Sequence, residues 1–247
     1  MRFQSTFLLP PIAMLAACGA VERGAADQFT ATGELIALSG GDAGAATACA
    51  VCHGLDGRGN GAGAPRLAAL DRGYMTAQLE GYASGRRRHP EMEAIARKLT
   101  AAQHDAVSAY YAGLPFATTA SSTPQSGRGA VQYQRGDAAR GLASCASCHG
   151  VRGEGGGPAN PPLGGQPAGY LAEQMAQWRQ GARRNDPEGV MLKIARQLTV
   201  AESAALAAYA SGLPGDPPRP GSRAAYPAAR RDDPRNGVSV PLRHAAE

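Results

Sequence analysis

One five-residue pattern, present twice, constrains this chain more than any other feature. Cys49-Ala-Val-Cys52-His53 and Cys145-Ala-Ser-Cys148-His149 lie 96 residues apart. Cys-x-x-Cys-His is the attachment pattern of a c-type haem. Two thiols add across the two vinyl groups of one porphyrin, so they must stand about a helical turn apart on one face. The adjacent His then comes up beneath the iron as its proximal ligand. Two Cys pairs could also build a zinc site, but zinc does not need a His after both. A thioredoxin-like Cys pair expects a strand before it, and no strand-period run of any length is present.

The spacing extends well beyond the motifs. Pro65, Leu67, Tyr74, Gln78 and Gly85 recur 96 positions later as Pro161, Leu163, Tyr170, Gln174 and Gly181. After a three-residue insertion the offset becomes 99, which pairs Met92, Ile95, Ala96 and Arg97 with Met191, Ile194, Ala195 and Arg196. Leu99, Thr100, Tyr110 and Gly113 likewise pair with Leu198, Thr199, Tyr209 and Gly212. One domain has been duplicated, over residues 36–116 and 130–214. Aromatic residues make up only 5% of the chain, which is poor for building two small cores. A covalently held haem would fill each interior and relieve that shortage.

Each unit reads as helices. A short helix leads into the Cys-x-x-Cys-His run, and a glycine-rich loop follows at Gly54–Gly59 and Gly150–Gly155. Neither loop ends in the Gly-Lys-Ser/Thr of a phosphate loop, which excludes that kind of nucleotide site. An amphipathic helix is expected over Tyr74–Ser84 and Tyr170–Gln180. The last helix opens on a capping box in both copies, Thr100-x-x-Gln103 and Thr199-x-x-Glu202. It ends at Gly113-Leu-Pro and Gly212-Leu-Pro.

The flanks read differently. Residues 1–17 resemble an export signal, with Arg2 before an apolar run over Phe7–Leu15 too short to span a bilayer. Leu15-Ala16-Ala17-Cys18 resembles a bacterial lipoprotein box, whose Cys is lipidated as the first mature residue. This also accounts for the odd fifth cysteine; the competing reading is an ordinary cleaved signal that discards Cys18. Residues 18–35 are expected to be a tether, 117–129 a linker, and 215–247 a Pro- and Arg-rich disordered tail. Gly19 stands where inner-membrane lipoproteins carry Asp, which by that resemblance points to the outer membrane. Export to the periplasm agrees with haem attachment outside the cytoplasm. A formal net charge of +5 and a pI near 9.1 favour acidic protein surfaces or anionic lipid headgroups. No aromatic-interleaved basic stripe is present, which argues against nucleic acid.

A haem iron with His below it needs a ligand above, and the repeat chooses among the methionines. Met75 pairs with Leu171 and Met175 with Leu79, so Leu replaces both and they read as core. Met92 pairs with Met191, and these are assigned as the distal iron ligands. Packing in the core is the alternative, since Met fills gaps readily. His89, three residues before Met92, is a rival for the first iron, but no His stands near it in the second copy; it reads as exposed. His104 and His244 have no twins and receive no role. The runs Arg86–Arg88 and Arg183–Arg184 read equally as docking surfaces or as solvated loops.

With the motifs, the duplication and the paired Met in place, residues 36–214 resemble the dihaem cytochromes c of the cytochrome c4 family. The Tyr-x-x-x-Gln helices and the segments Gly85–Thr100 and Gly181–Thr199 carry the resemblance further. It implies an all-α fold: two tandem class I cytochrome c domains related by pseudo-twofold symmetry, with the haem edges close together. It implies that the carbonyls of Pro65 and Pro161 accept the proximal His N–H. Tyr82 and Trp178, which align, are placed either near haem propionates or in the core. The function expected is that of an electron carrier rather than an enzyme: two covalent haem c groups passing single electrons from a quinol-oxidising complex or dehydrogenase to a terminal oxidase or reductase. The alternative is an electron-accepting subunit of a dehydrogenase complex acting on an alcohol or a sulfur compound. A dihaem peroxidase would need one open iron, which the paired Met92 and Met191 oppose.

Overall fold

The structure is a computed structural model, and it describes residues 32–61, 63–116 and 127–215. The signal, Cys18, most of the linker and the tail after residue 215 lie outside the described residues. Among those residues the regular structure is helical, with isolated bridges and no named strand.

The duplication is visible element by element. The first copy contains α1 (Gly33–Ser39), α2 (Cys49–His53), α3 (Arg72–Ala83), α4 (Pro90–Ala96) and α5 (Ala101–Gly113). The second contains α6 (Arg128–Arg135), α7 (Ala146–His149), α8 (Ala168–Gln180), α9 (Val190–Gln197) and α10 (Val200–Ser211). In each copy the last helix is the hub. α5 packs on α1 and α3, as α10 packs on α6 and α8, and the fourth helix of each copy leans on the third.

Local chemistry explains the ends. Thr100 and Thr199 close full capping boxes with Gln103 and Glu202. Asp71 caps α3 by accepting from the Tyr74 N–H at 2.8 Å. α1 begins at Gly33, inside the stretch read as tether, and α6 begins at Arg128, inside the stretch read as linker. Both helices start where a glycine must face the hub helix. A Cβ on Gly33 would stand 2.0 Å from the Ala106 carbonyl oxygen, and one on Gly129 2.5 Å from that of Ala205. Only glycine lets the backbones approach so closely.

α4 and α9 have no counterpart in the sequence expectations. Pro90 at its first turn and His89 as its cap start α4. The three-residue insertion of the second copy becomes a 3-10 turn at Pro187–Gly189, where Glu188 takes a left-handed φ of 57°. Ile36, Leu70, Met75, Leu99, Val107 and Tyr111 form one core, and Tyr133, Leu142, Leu198, Leu206 and Ala210 the other. Met75 is core, as the repeat implied, and Met175 packs on the second core from its edge.

The copies meet face to face. Arg87 and Arg183 form an antiparallel bridge. The Arg88 N–H donates to Ala182 O at 3.0 Å, and the Arg184 N–H donates to Arg86 O at 2.7 Å. Each contact has its 96-shifted mirror, which is the mark of a twofold-related interface.

Candidate haem sites and the surface between them

The two Cys-x-x-Cys-His runs fold as single helical turns, α2 and α7. In each, the first Cys is half-buried and the second exposed. Burial raises the pKa of the Cys49 thiol, and pushes that of Cys145 up to about 11.

His53 and His149 are buried, 8% and 9% exposed. Burial lowers the pKa of both imidazoles, while hydrogen bonds to backbone carbonyls act the other way. The partner of His53 Nδ1 is the Pro65 oxygen at 2.9 Å, and that of His149 Nδ1 is the Pro161 oxygen at 2.8 Å. A carbonyl can only accept, so each Nδ1 carries the proton and each Nε2 keeps its lone pair for a metal. Loop hydrogen bonds hold the turns in register: Gly59 N–H donates to His53 O, and Gly155 N–H to His149 O, both at 2.8 Å.

A cavity of about 730 Å³ opens beside α2. Cys49, Cys52, His53, Pro65, Met75 and Met92 line it, and it continues across the interface to Pro161, Leu163, Tyr170, Leu171 and Gln174. Met92 thus shares a wall with His53, half-buried on α4. Met191 is half-buried at the equivalent place on α9, outside this wall. His89 also borders the cavity. Its ring is exposed and stands beside Glu91, and its Nδ1 caps α4 by accepting from the Met92 N–H at 3.5 Å.

The residues present fit a haem. The cavity is mainly apolar, with a thiol pair and an imidazole at its edge. Its wall also contains buried polar atoms that no group among the described residues satisfies: Arg87 Nε, Ser108 Oγ and Tyr111 OH. A haem brings two propionate carboxylates, the partner that a buried guanidinium lacks here.

The basic loops are neither wholly docking surface nor wholly solvated. Arg86, Arg88 and Arg184 leave most or part of their surface to solvent, but Arg87 and Arg183 are 3% and 4% exposed. Arg87 donates to Gln78 Oε1 at 3.0 Å, to Tyr170 OH at 2.8 Å and to Gln174 Oε1 at 2.7 Å. Arg183 donates to Gln174 Oε1 at 2.7 Å, to Gln78 Oε1 at 2.9 Å and to Tyr74 OH at 3.3 Å. Arg87 stacks over Tyr82 at 4.6 Å and Arg183 over Trp178 at 3.9 Å. The Tyr-x-x-x-Gln helices thus present their polar residues to the opposite copy's arginine. The shared offset of Arg87 and Arg183 was the available signal, but polarity made the loops look exposed.

Arg66 carries no signal in the sequence of where it lies. It is 1% exposed and has no twin, since Pro162 stands at its place. Its guanidinium donates to Ala68 O and, at 3.1 Å, to Gly164 O, and lies 4.0 Å from the Phe116 ring centre. Its backbone N–H and C=O are both bound by the Gln166 side chain. Burial lowers its pKa to about 10.

Known proteins agree with this geometry. The family model described as "Cytochrome c" matches residues 39–114 and again 133–213. A thiosulfate dehydrogenase electron acceptor from Stutzerimonas stutzeri is 44% identical over 183 residues, 72% of this chain and 85% of that one. Among solved structures, a thiosulfate dehydrogenase (TsdBA) from Marichromatium purpuratum is 38% identical with a TM-score of 0.65 over 74% of this chain, which spans only 40% of that longer one. Reduced recombinant cytochrome c4 from Pseudomonas stutzeri is 29% identical with a TM-score of 0.59, covering 67% of this chain and 93% of that one.

Proposed function

We propose that this chain, which belongs to the cytochrome c family and is a dihaem, cytochrome c4-like electron carrier, accepts electrons from a dehydrogenase that oxidises a small sulfur oxyanion such as thiosulfate. The observation that carries this reading is the 44% identity, along 72% of the chain, to a thiosulfate dehydrogenase electron acceptor.

In this reading Cys49 and Cys52 hold the first haem c, and Cys145 and Cys148 the second. His53 and His149, oriented by the carbonyls of Pro65 and Pro161, would bind the irons through Nε2, and Met92 and Met191 would supply the sulfur ligands. When bound, haem supplies an iron that cycles between ferrous and ferric states by single electrons. The protein holds the ligands still, so little rearrangement accompanies each transfer. The apolar wall excludes water, and the buried guanidinium of Arg87 on that wall would offset carboxylate charge that a bound haem brings. Two one-electron sites in one chain suit a donor that releases electrons in pairs. Export to the periplasm and anchoring by a lipidated Cys18 belong to the same proposal and rest on the residues of the leader alone.

The test is to mix the oxidised, haem-loaded protein with a thiosulfate dehydrogenase and thiosulfate, and to follow haem reduction by stopped flow. Reduction of both haems at the rate of dehydrogenase turnover is expected. A protein left oxidised there, but reduced rapidly by a quinol-oxidising complex and reoxidised by a terminal oxidase or reductase, would move the free-carrier reading to the front. That second reading is favoured by the match to nearly the whole of a cytochrome c4.

A further inference from the structure

His104 and Arg179 meet the same structural need from opposite helices. α4, which carries Met92, has only seven residues. Its last carbonyls have no partner within the helix, and Ala96 is 0% exposed, so water cannot supply one. The donor is His104 from α5, 4% exposed, whose Nε2 lies 2.9 Å from the Ala96 oxygen.

The second copy has Ser203 at the place of His104, and a hydroxymethyl is too short for that reach. There the matching carbonyl, that of fully buried Ala195 on α9, accepts from Arg179 Nε at 3.2 Å. Arg179 comes from α8, and its Nη2 is steadied by Ser203 Oγ at 2.9 Å. The first copy has Ala83 at the place of Arg179. The pair Ala83 and His104 has thus been exchanged for Arg179 and Ser203: one long polar side chain and one small residue, swapped between helices, always reaching one carbonyl. Ala96 and Ala195 stand four residues after Met92 and Met191, one turn further along the same helix face.

We propose that His104 and Arg179 are positioning residues for the two distal methionines. Each pins the last turn of a short Met-bearing helix to the domain frame and so keeps the sulfur at the iron. The proposal rests on Met92 and Met191 being iron ligands. Without the donor the buried carbonyl must move toward water, and the helix moves with it.

The experiment is an imidazole titration of the oxidised, haem-loaded protein, read by the weak far-red absorption that methionine-ligated ferric haem gives. His104→Ser should lower the imidazole concentration that displaces the first methionine by about tenfold, the order expected for orphaning a buried carbonyl. The second copy's share of the absorption should stay where it was. Arg179→Ala should do the converse. His104→Gln, which keeps an N–H donor, should behave as the parent, and Ala83→Arg combined with His104→Ser should regain the parent midpoint. Unchanged midpoints in His104→Ser and Arg179→Ala, equal loss in both copies, or no rescue would each overturn the proposal. Met92→Ala and Met191→Ala are run alongside. If neither removes about half of the absorption, the ligand assignment fails. If each does while His104→Ser and Arg179→Ala leave the midpoints alone, only the positioning proposal fails.

Discussion

Replacing Arg87 with Met should uncouple the two copies by an amount that the shared acceptors determine. Arg87 makes three charge-assisted hydrogen bonds across and beside the interface, and at about 1.5–3 kcal/mol each the naive sum is about 4.5–9 kcal/mol. Two of the three acceptors, however, keep a donor. Gln174 Oε1 still receives Arg183 Nη1 at 2.7 Å, and Gln78 Oε1 still receives Arg183 Nη2 at 2.9 Å and Asn185 Nδ2 at 2.8 Å. Tyr170 OH alone loses its arginine, and the stacking on Tyr82 adds about 1 kcal/mol. Removing one of two neighbouring buried cations also relieves desolvation and repulsion. The expected net cost is therefore about 2 kcal/mol, roughly 4–8 °C in Tm for a chain of this size. Arg183→Met should cost a similar amount. The double variant should cost more than the sum, by about 1 kcal/mol or more, because both glutamine oxygens then lose their guanidinium donors together. Calorimetry of the four haem-loaded proteins closes the cycle. Strict additivity, or single variants as stable as the parent, would refute the view that these arginines are one shared interface element.

Other perturbations probe separate parts of the molecule. Gly33→Ala should cost about 2–3 kcal/mol or more in urea unfolding, because its Cβ would meet the Ala106 carbonyl at 2.0 Å, and Gly129→Ala somewhat less at 2.5 Å from Ala205 O. Arg66 faces carbonyls and a ring rather than a carboxylate, so Arg66→Met should be clearly more stable than Arg66→Ala, which leaves a cavity as well as orphaned oxygens; unfolding midpoints give the comparison. The hydrogen bond from Arg140 depresses the Glu202 pKa to about 2. Its stabilising contribution is complete above the ordinary Glu pKa, near 4.3, and fades as pH falls through about 2. The parent's advantage over Arg140→Ala in urea should accordingly be present at neutral pH and shrink steadily from about pH 4 to about pH 2. An advantage that stays constant over that range would refute the assignment.

The amino-acid sequence determined the parts of this protein whose cause is local or covalent. Cys-x-x-Cys-His states its own cofactor chemistry, because thiol spacing and the adjacent imidazole must match one porphyrin. The capping boxes at Thr100 and Thr199 state where the hub helices begin, since each is closed within four residues. The recurring offset, 96 and then 99 after the insertion, showed the duplication, and with it the pairing of Met92 with Met191. The tertiary structure alone decided how long side chains settle their polar ends. Arg87 and Arg183 sit in runs of charge that look solvated, yet each is desolvated by tyrosine and glutamine residues from the other copy. Arg66 is buried against Gly164 and Gln166, about a hundred positions away in the chain. His104 has no twin in the sequence, and its functional equivalent, Arg179, comes from a different helix. No local period records such contacts. They exist because a buried carbonyl or guanidinium must find a partner wherever packing brings one, and packing joins residues that the sequence keeps far apart.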